Sequence, residues 1–179
     1  MKSIKKTVSK EREYTENGLT SLFVDQLKDL FNAENQLVKA LPKMAKAANS
    51  PKLKSAFSDH LKITEGHVNR IKQILIKLDK KPGGKTCKAM QGLVEEGKEA
   101  IEEKEEEDNI KDAGLIAAAR RVEHYEMAGY NVVHGYAQKL GLNEAAALLQ
   151  QTLKEEEQAE KDLTALSNEL LVNAEKLFI

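Results

Sequence analysis

The chain has 179 residues, enough for one domain with a substantial core and too few for two ordinary ones. Charged residues make up 32% and aromatic residues 4%, with no tryptophan; abundant Ala, Leu, Glu and Lys are what long amphipathic helices use. The formal net charge of −1 provides no global field for a polyanion, and a single cysteine, Cys87, excludes an internal disulfide and suits a reducing, cytoplasmic compartment.

Residues 1–18 read as a flexible basic arm, carrying Lys2, Lys5, Lys6, Lys10 and Arg12. The arm lacks the apolar run of a signal peptide, and nothing downstream is apolar for long enough to span a membrane. Residues 19–179 read as a single helical domain. Its first helix is expected from about Leu19 to Ala48, with Phe23, Leu27, Leu30, Leu37, Leu41 and Met44 on one stripe and Pro42 near its end. Asn49-Ser50-Pro51 stops it and starts a second helix, which runs to about Leu78 through Leu53, Phe57, Leu61, Val68, Ile71 and Leu75. Lys81-Pro82-Gly83-Gly84 is the clearest break in the sequence. Cys87 to Asn109 gives a short apolar stripe and then an acidic run, a minor helix within a long crossover. A third long helix is expected from about Ile110 to Leu140, closed by Gly141, and a fourth from Asn143, its cap, to about Leu170. Two helical hairpins joined by one long connection are the ferritin-like arrangement of a four-helix bundle, so the fold class is all-α.

The informative residues are the charged ones on faces that must be buried. Glu34 lies four after Leu30 and three before Leu37, in the middle of its stripe. Glu123 and Glu126 share a stripe with Ile116, Tyr130 and His134, while Glu156 follows Leu153 and Glu160 comes one turn later. On the second helix Glu65 falls towards one flank, and His60, Thr64 and His67 cluster nearer the middle. Counting back from each turn puts Glu34 level with Glu65, Glu123 with Glu160, and Glu126 with Glu156. Tyr130 reads by default as core, His134 as structural, and Cys87 as without a partner for metal or nucleophilic chemistry.

Carboxylates gathered inside a bundle repel one another and are poorly solvated unless cations neutralise them. Carboxylate with imidazole suits iron or manganese. One Glu from each of two helices and a Glu-x-x-His pair from the others is the di-iron carboxylate pattern. The matching elements here are Glu34, Glu65, Glu123-x-x-Glu126 and Glu156 with Glu160. The departure is that Val68 and Ala159, three after the expected ligands, are not histidine, which leaves His60 or His67 to supply nitrogen.

The stretches Leu27–Leu37, His60–Val68, Asp112–Ala119, Val122-Glu-His-Tyr-Glu126 and Thr152–Glu156 resemble the YciF/YciE-type bacterial stress proteins. The resemblance covers nearly everything from Leu19 to Leu170 and leaves the arm outside. It implies a ferritin-like fold related to rubrerythrins, a tendency to form homodimers and expression linked to stress. Rubrerythrin-like ligand positions fall on Glu34, Glu65, Glu123, Glu126, Glu156 and Glu160, but the electron-passing cysteine module of rubrerythrins is missing.

Three functions follow as expectations. The first is a centre of two iron ions that handles iron or reduces oxygen or peroxide. The second is a metal-free structural or partner-binding protein. A DNA protector gripping phosphates through the arm is the third, and only the arm supports it.

Overall fold

The computed structural model describes residues 18–104 and 107–174, with side chains through Leu170. The basic arm lies outside the described residues. The elements are α1 (Gly18–Ala47), α2 (Pro51–Lys77), α3 (Lys88–Glu102), α4 (Asp108–Lys139) and α5 (Asn143–Ala174), with no strand among the described residues. The all-α expectation holds.

The long helices pack in the cyclic order α1, α2, α5, α4, and α3 lies against α1 and α4. Tight turns make α1/α2 and α4/α5 antiparallel hairpins. Asp112, near the start of α4, accepts hydrogen bonds from the backbone N–H groups of Asn49 (2.7 Å) and Ser50 (2.6 Å) at the end of α1. α4 therefore starts where α1 ends, and the connection from α2 has to travel the length of the bundle. That is the ferritin-like crossover, and α3 rides on it. The backbone of Cys87 pins its start, donating to Asn32 Oδ1 at 2.8 Å and accepting from Gln36 Nε2 at 3.1 Å.

Local chemistry explains the helix ends. Gly141 (φ 69°) closes α4 in a Schellman motif, with Leu142 N–H bonded to Ala137 O and Gly141 N–H to Gln138 O. Asp79 (φ 55°) does the same after α2, where Lys80 N–H reaches Leu75 O. Pro42 sits within α1 rather than ending it. Two details differ from expectation. Asn143 is already inside α5, with Leu142 O accepting from Ala146 N, so it is not the cap. The minor helix stops at Glu102, and Glu103 and Lys104 directly after it are exposed.

The apolar core falls into two halves. One holds Leu37, Leu41, Met44, Leu53, Phe57 and Leu115 towards the Asn49 turn. The other holds Phe23, Leu27, Leu30, Ile71, Leu75 and Leu149 towards the Gly141 turn. Each such side chain contributes about 1.5–3 kcal/mol when fully buried. Between the halves, every long helix interrupts its apolar stripe with polar residues at the same level. That layer is the candidate site.

Candidate metal centre

Six side chains meet in the polar layer: Glu34 from α1, His60 and His67 from α2, Glu123 and Glu126 from α4, and Glu156 from α5. They form two overlapping groups, one of His60, Glu123, Glu126 and Glu156 and one of Glu34, His67 and Glu156, and within each group the facing donor atoms lie within 4.8 Å of one another. Glu156 belongs to both. The His60 side chain is 11% exposed, the other residues are buried, and Glu34, His67, Glu126 and Glu156 are fully so.

The hydrogen bonding is lopsided in an informative way. Among the described residues, nine buried side-chain N and O atoms have no hydrogen-bond partner, and all nine belong to these six residues and to Thr64 beside them. Both oxygens of Glu126 and both of Glu156 are among them. Buried polar groups are ordinarily paired, at a cost of about 1–3 kcal/mol for each one left unmade. So many orphans aimed at one volume fit a cation-binding centre, and their mixture of carboxylate oxygen and imidazole nitrogen suits iron or manganese.

The surroundings hold the imidazoles and carboxylates in place. His67 Nε2 lies 2.9 Å from Glu155 Oε2, so that nitrogen donates outward, and Nδ1 turns towards Glu156 Oε1 (3.0 Å) and Glu34 Oε1 (3.4 Å). Glu155 is itself fixed by both ends of the Arg70 guanidinium and by Gln151, while Arg70 also reaches Thr152 at 3.1 Å. An imidazole whose second nitrogen is held by a carboxylate is the usual support of a metal-ligating histidine. Tyr130, fully buried, donates its hydroxyl to Glu34 Oε1. His60 Nε2 stands 3.4 Å from Glu123 Oε1 and 3.8 Å from Glu156 Oε2.

The electrostatics follow from burial. Desolvation, then the neighbouring Glu156 carboxylate and the charge of Glu34, pushes the Glu123 carboxyl well above its ordinary value. Glu126 is pushed likewise by desolvation and by the charges of Glu34 and Glu156. Glu34 is raised mainly by burial, against the pull of His67. Burial alone would lower His67, but the Glu156 and Glu34 carboxylates that face its Nδ1 carry it up to about 11. His60 is lowered, chiefly by burial. Glu155 resists its own burial because Arg70, Gln151 and His67 bond its charged form, and it falls to about 2. The layer thus holds protons wherever cations do not replace them.

Two expected residues are not brought to the cluster. Glu65 is exposed: the buried stripe of α2 runs His60, Thr64, His67, Ile71, and one residue past Thr64 swings the side chain about 100° outwards. Glu160 sits on the flank of α5, where the Arg120 guanidinium bonds its Oε1 at 2.6 and 3.0 Å and Thr164 at 2.9 Å. The bonds from Arg120, foremost, and Thr164 lower its carboxyl. Cys87 Sγ has a hydrogen-bond partner, the Tyr125 hydroxyl at 2.9 Å, which donates to Asp29 Oδ2 at 2.6 Å; neither is a partner for metal or nucleophilic chemistry. Sequence reasoning missed Glu155 and Arg70 as supports of the site. The only trace in the chain is their spacing, Arg70 three after His67 and Glu155 beside Glu156.

Comparison with known proteins places the chain. A family described as a domain of unknown function, DUF892, matches residues 18–175. The chain belongs to this family. It is 42% identical over 150 residues to Protein YciF of Escherichia coli strain K12, covering 83% of this chain and 90% of that protein. The crystal structure of the E. coli stress protein YciF superposes with a TM-score of 0.82 at 40% identity, over 88% of this chain and 98% of that one. YcfI of Rhodopseudomonas palustris, described as a putative structural protein, gives 0.78 at 34% identity, over 85% and 96%. A ferritin-like, diiron-carboxylate protein of Bacillus anthracis str. Ames gives 0.66 at 14% identity, over 84% and 99%, which speaks for the fold alone. The chain is therefore a YciF homologue with a ferritin-like helical fold and a carboxylate–histidine cluster fit for metal. No helix among the described residues is long and apolar enough to cross a membrane.

Proposed function

We propose that this protein binds two metal ions, iron before manganese, in the central layer and uses them in stress, handling iron or reducing oxygen or peroxide. The observation that carries the reading is the convergence of orphaned buried donors from all four long helices. Two overlapping donor groups, one of His60, Glu123, Glu126 and Glu156 and one of Glu34, His67 and Glu156, would hold two ions, with Glu156 common to both. When bound, such ions supply redox change and open coordination positions for an oxidant.

The chain's own residues do the rest. Glu34, Glu123 and Glu126 provide charge in a volume where water is excluded, so their attraction for a cation is weakly screened. Glu155, locked by Arg70, orients His67 with its free nitrogen inward. Tyr130 holds Glu34 and provides a proton-bearing hydroxyl at the cluster's edge. The resemblance to stress proteins is consistent with a cytoplasmic homodimer.

Anaerobic ferrous titration with metal analysis tests the reading. Uptake of about two irons per chain, lost in Glu123→Ala and Glu126→Ala, is the expected result. Absence of uptake by correctly folded protein would favour a metal-free structural or partner-binding role, which the description of the R. palustris relative invites.

A further inference from the structure

A cavity of about 320 Å³ opens on the surface and ends at the cluster. Its floor is apolar, formed by Leu37, Leu41, Met44, Phe57, Val122 and Leu163. The exposed lining residues are Asp59 and Ile63 of α2 and Gln158 and Asp162 of α5, so its mouth lies between these two helices. At the inner end stand His60 and Glu123, whose Nε2 and Oε2 atoms are among the orphaned donors.

Three small side chains make the room: Ala56, Ala119 and Ala159. Ala159 is the decisive one. It occupies the position three after Glu156 where a Glu-x-x-His pattern would set an imidazole. The residue that leaves the pattern incomplete is one that opens the cluster to the cavity.

We propose that this cavity binds a neutral, apolar organic molecule whose inner end abuts His60 and Glu123 beside the metal centre. The proposal rests on the metal-centre reading for what lies at that inner end. The cavity is roughly twice the ~150 Å³ that accommodates one benzene, which sets the occupant at the scale of a two-ring aromatic or a medium-length alkyl chain. Its walls offer a water few partners, so an apolar occupant is favoured over solvent. Charge selects further. Asp59 and Glu155 are paired with Lys62 and Arg70, but Asp162 stands at the mouth and the Glu123 carboxyl at the inner end, with no lysine or arginine among the lining residues, so fatty carboxylates and other organic anions are disfavoured and neutral molecules are admitted.

The test uses the full chain, metal-free and loaded with cobalt(II), with the neutral naphthalene dye prodan as probe. Saturable, blue-shifted binding is expected, displaced by 1-decanol and at least about tenfold less well by decanoate. Ala159→Phe should weaken the dye by more than about tenfold, because its ring and the ligand claim the same closely packed volume. Its cobalt content should match the wild type. Adding 1-decanol should perturb the cobalt absorption bands of the wild type and not those of Ala159→Phe. Ile63→Gln, on the exposed rim, supplies a second variant that does not strain the core, and it too should weaken the dye.

Absence of saturable binding, equal displacement by decanoate, or binding that survives both substitutions overturns the proposal. So does dye binding that fades as protein concentration rises, which would mean that a second copy covers the mouth. The two readings fail separately. Cobalt uptake without a dye site removes this inference alone, whereas a dye site without cobalt uptake upholds the cavity and removes the metal centre.

Discussion

His67 and Glu155 lie 2.9 Å apart through Nε2 and Oε2, and this contact fixes which imidazole nitrogen faces the carboxylates. Glu155→Ala should leave His67 free to rotate or change tautomer. Metal affinity is expected to fall about 10–100-fold with the fold intact, since this support lies outside the ligand set. Metal titration alongside a thermal melt checks it. Arg70→Met should give a smaller loss of the same kind.

Metal binding should release protons, because the carboxyls that would ligate are held protonated by their burial and His67 by the carboxylates that face it. Glu34, Glu123 and Glu126 are raised above the ordinary carboxyl value, and His67 stands at about 11. Apparent affinity therefore rises with pH. For the metal-free fold the sign runs the other way. Raised carboxyls stabilise fully below about 4.5, and that contribution drains away as pH rises through their folded values; His67 loses its share between about 6.5 and about 11. The metal-free melting temperature should decline from pH 5 to 8, and the gain on adding metal should grow over the same range. Calorimetry in buffers of differing ionisation enthalpy measures the protons directly.

Glu126→Leu separates stability from function. Both Glu126 oxygens are buried and unpaired, so an apolar side chain of similar size removes a penalty of about 1–3 kcal/mol. The metal-free variant is expected to melt higher than wild type while losing metal uptake. By contrast, Glu65→Ala and Glu160→Ala should leave metal stoichiometry unchanged, because one side chain faces solvent and the other is held by Arg120. A loss of uptake in either would contradict the placement.

Asp112→Ala should act on the fold alone. It strips the acceptor from two backbone N–H groups at the α1–α2 turn, at about 1–3 kcal/mol for each donor left buried. A fall in melting temperature of roughly 4–24 °C is expected, with metal stoichiometry unchanged in protein that remains folded.

Sequence periodicity carried the bundle and the crossover, since Pro51, Gly83-Gly84 and Gly141 mark real chain reversals. It also carried depth along the axis: Glu126 and Glu156 do meet at one level. Rotation about each axis was harder to read. On α2 the choice between Glu65 and the His60–Thr64–His67 stripe turns on a single residue, and a template of ligand spacing favours Glu65, which faces solvent. On α5 Glu160 lies one turn from Glu156 and differs mainly in finding Arg120 on the neighbouring helix, a pairing that no single-helix pattern contains. The Glu155–Arg70 support was hidden for the same reason.

Because each of the four long helices contributes at least one donor to the central layer, occupancy and persistence are linked. An ion held there, binding the folded chain and not the unfolded one, raises the free energy of unfolding with the logarithm of its concentration. Under the proposed function, a cell short of metal would hold a chain that opens more often and is cleared sooner by proteases. A cell with metal to spare would hold a durable one. The abundance of the protein would then register metal supply without any dedicated sensor.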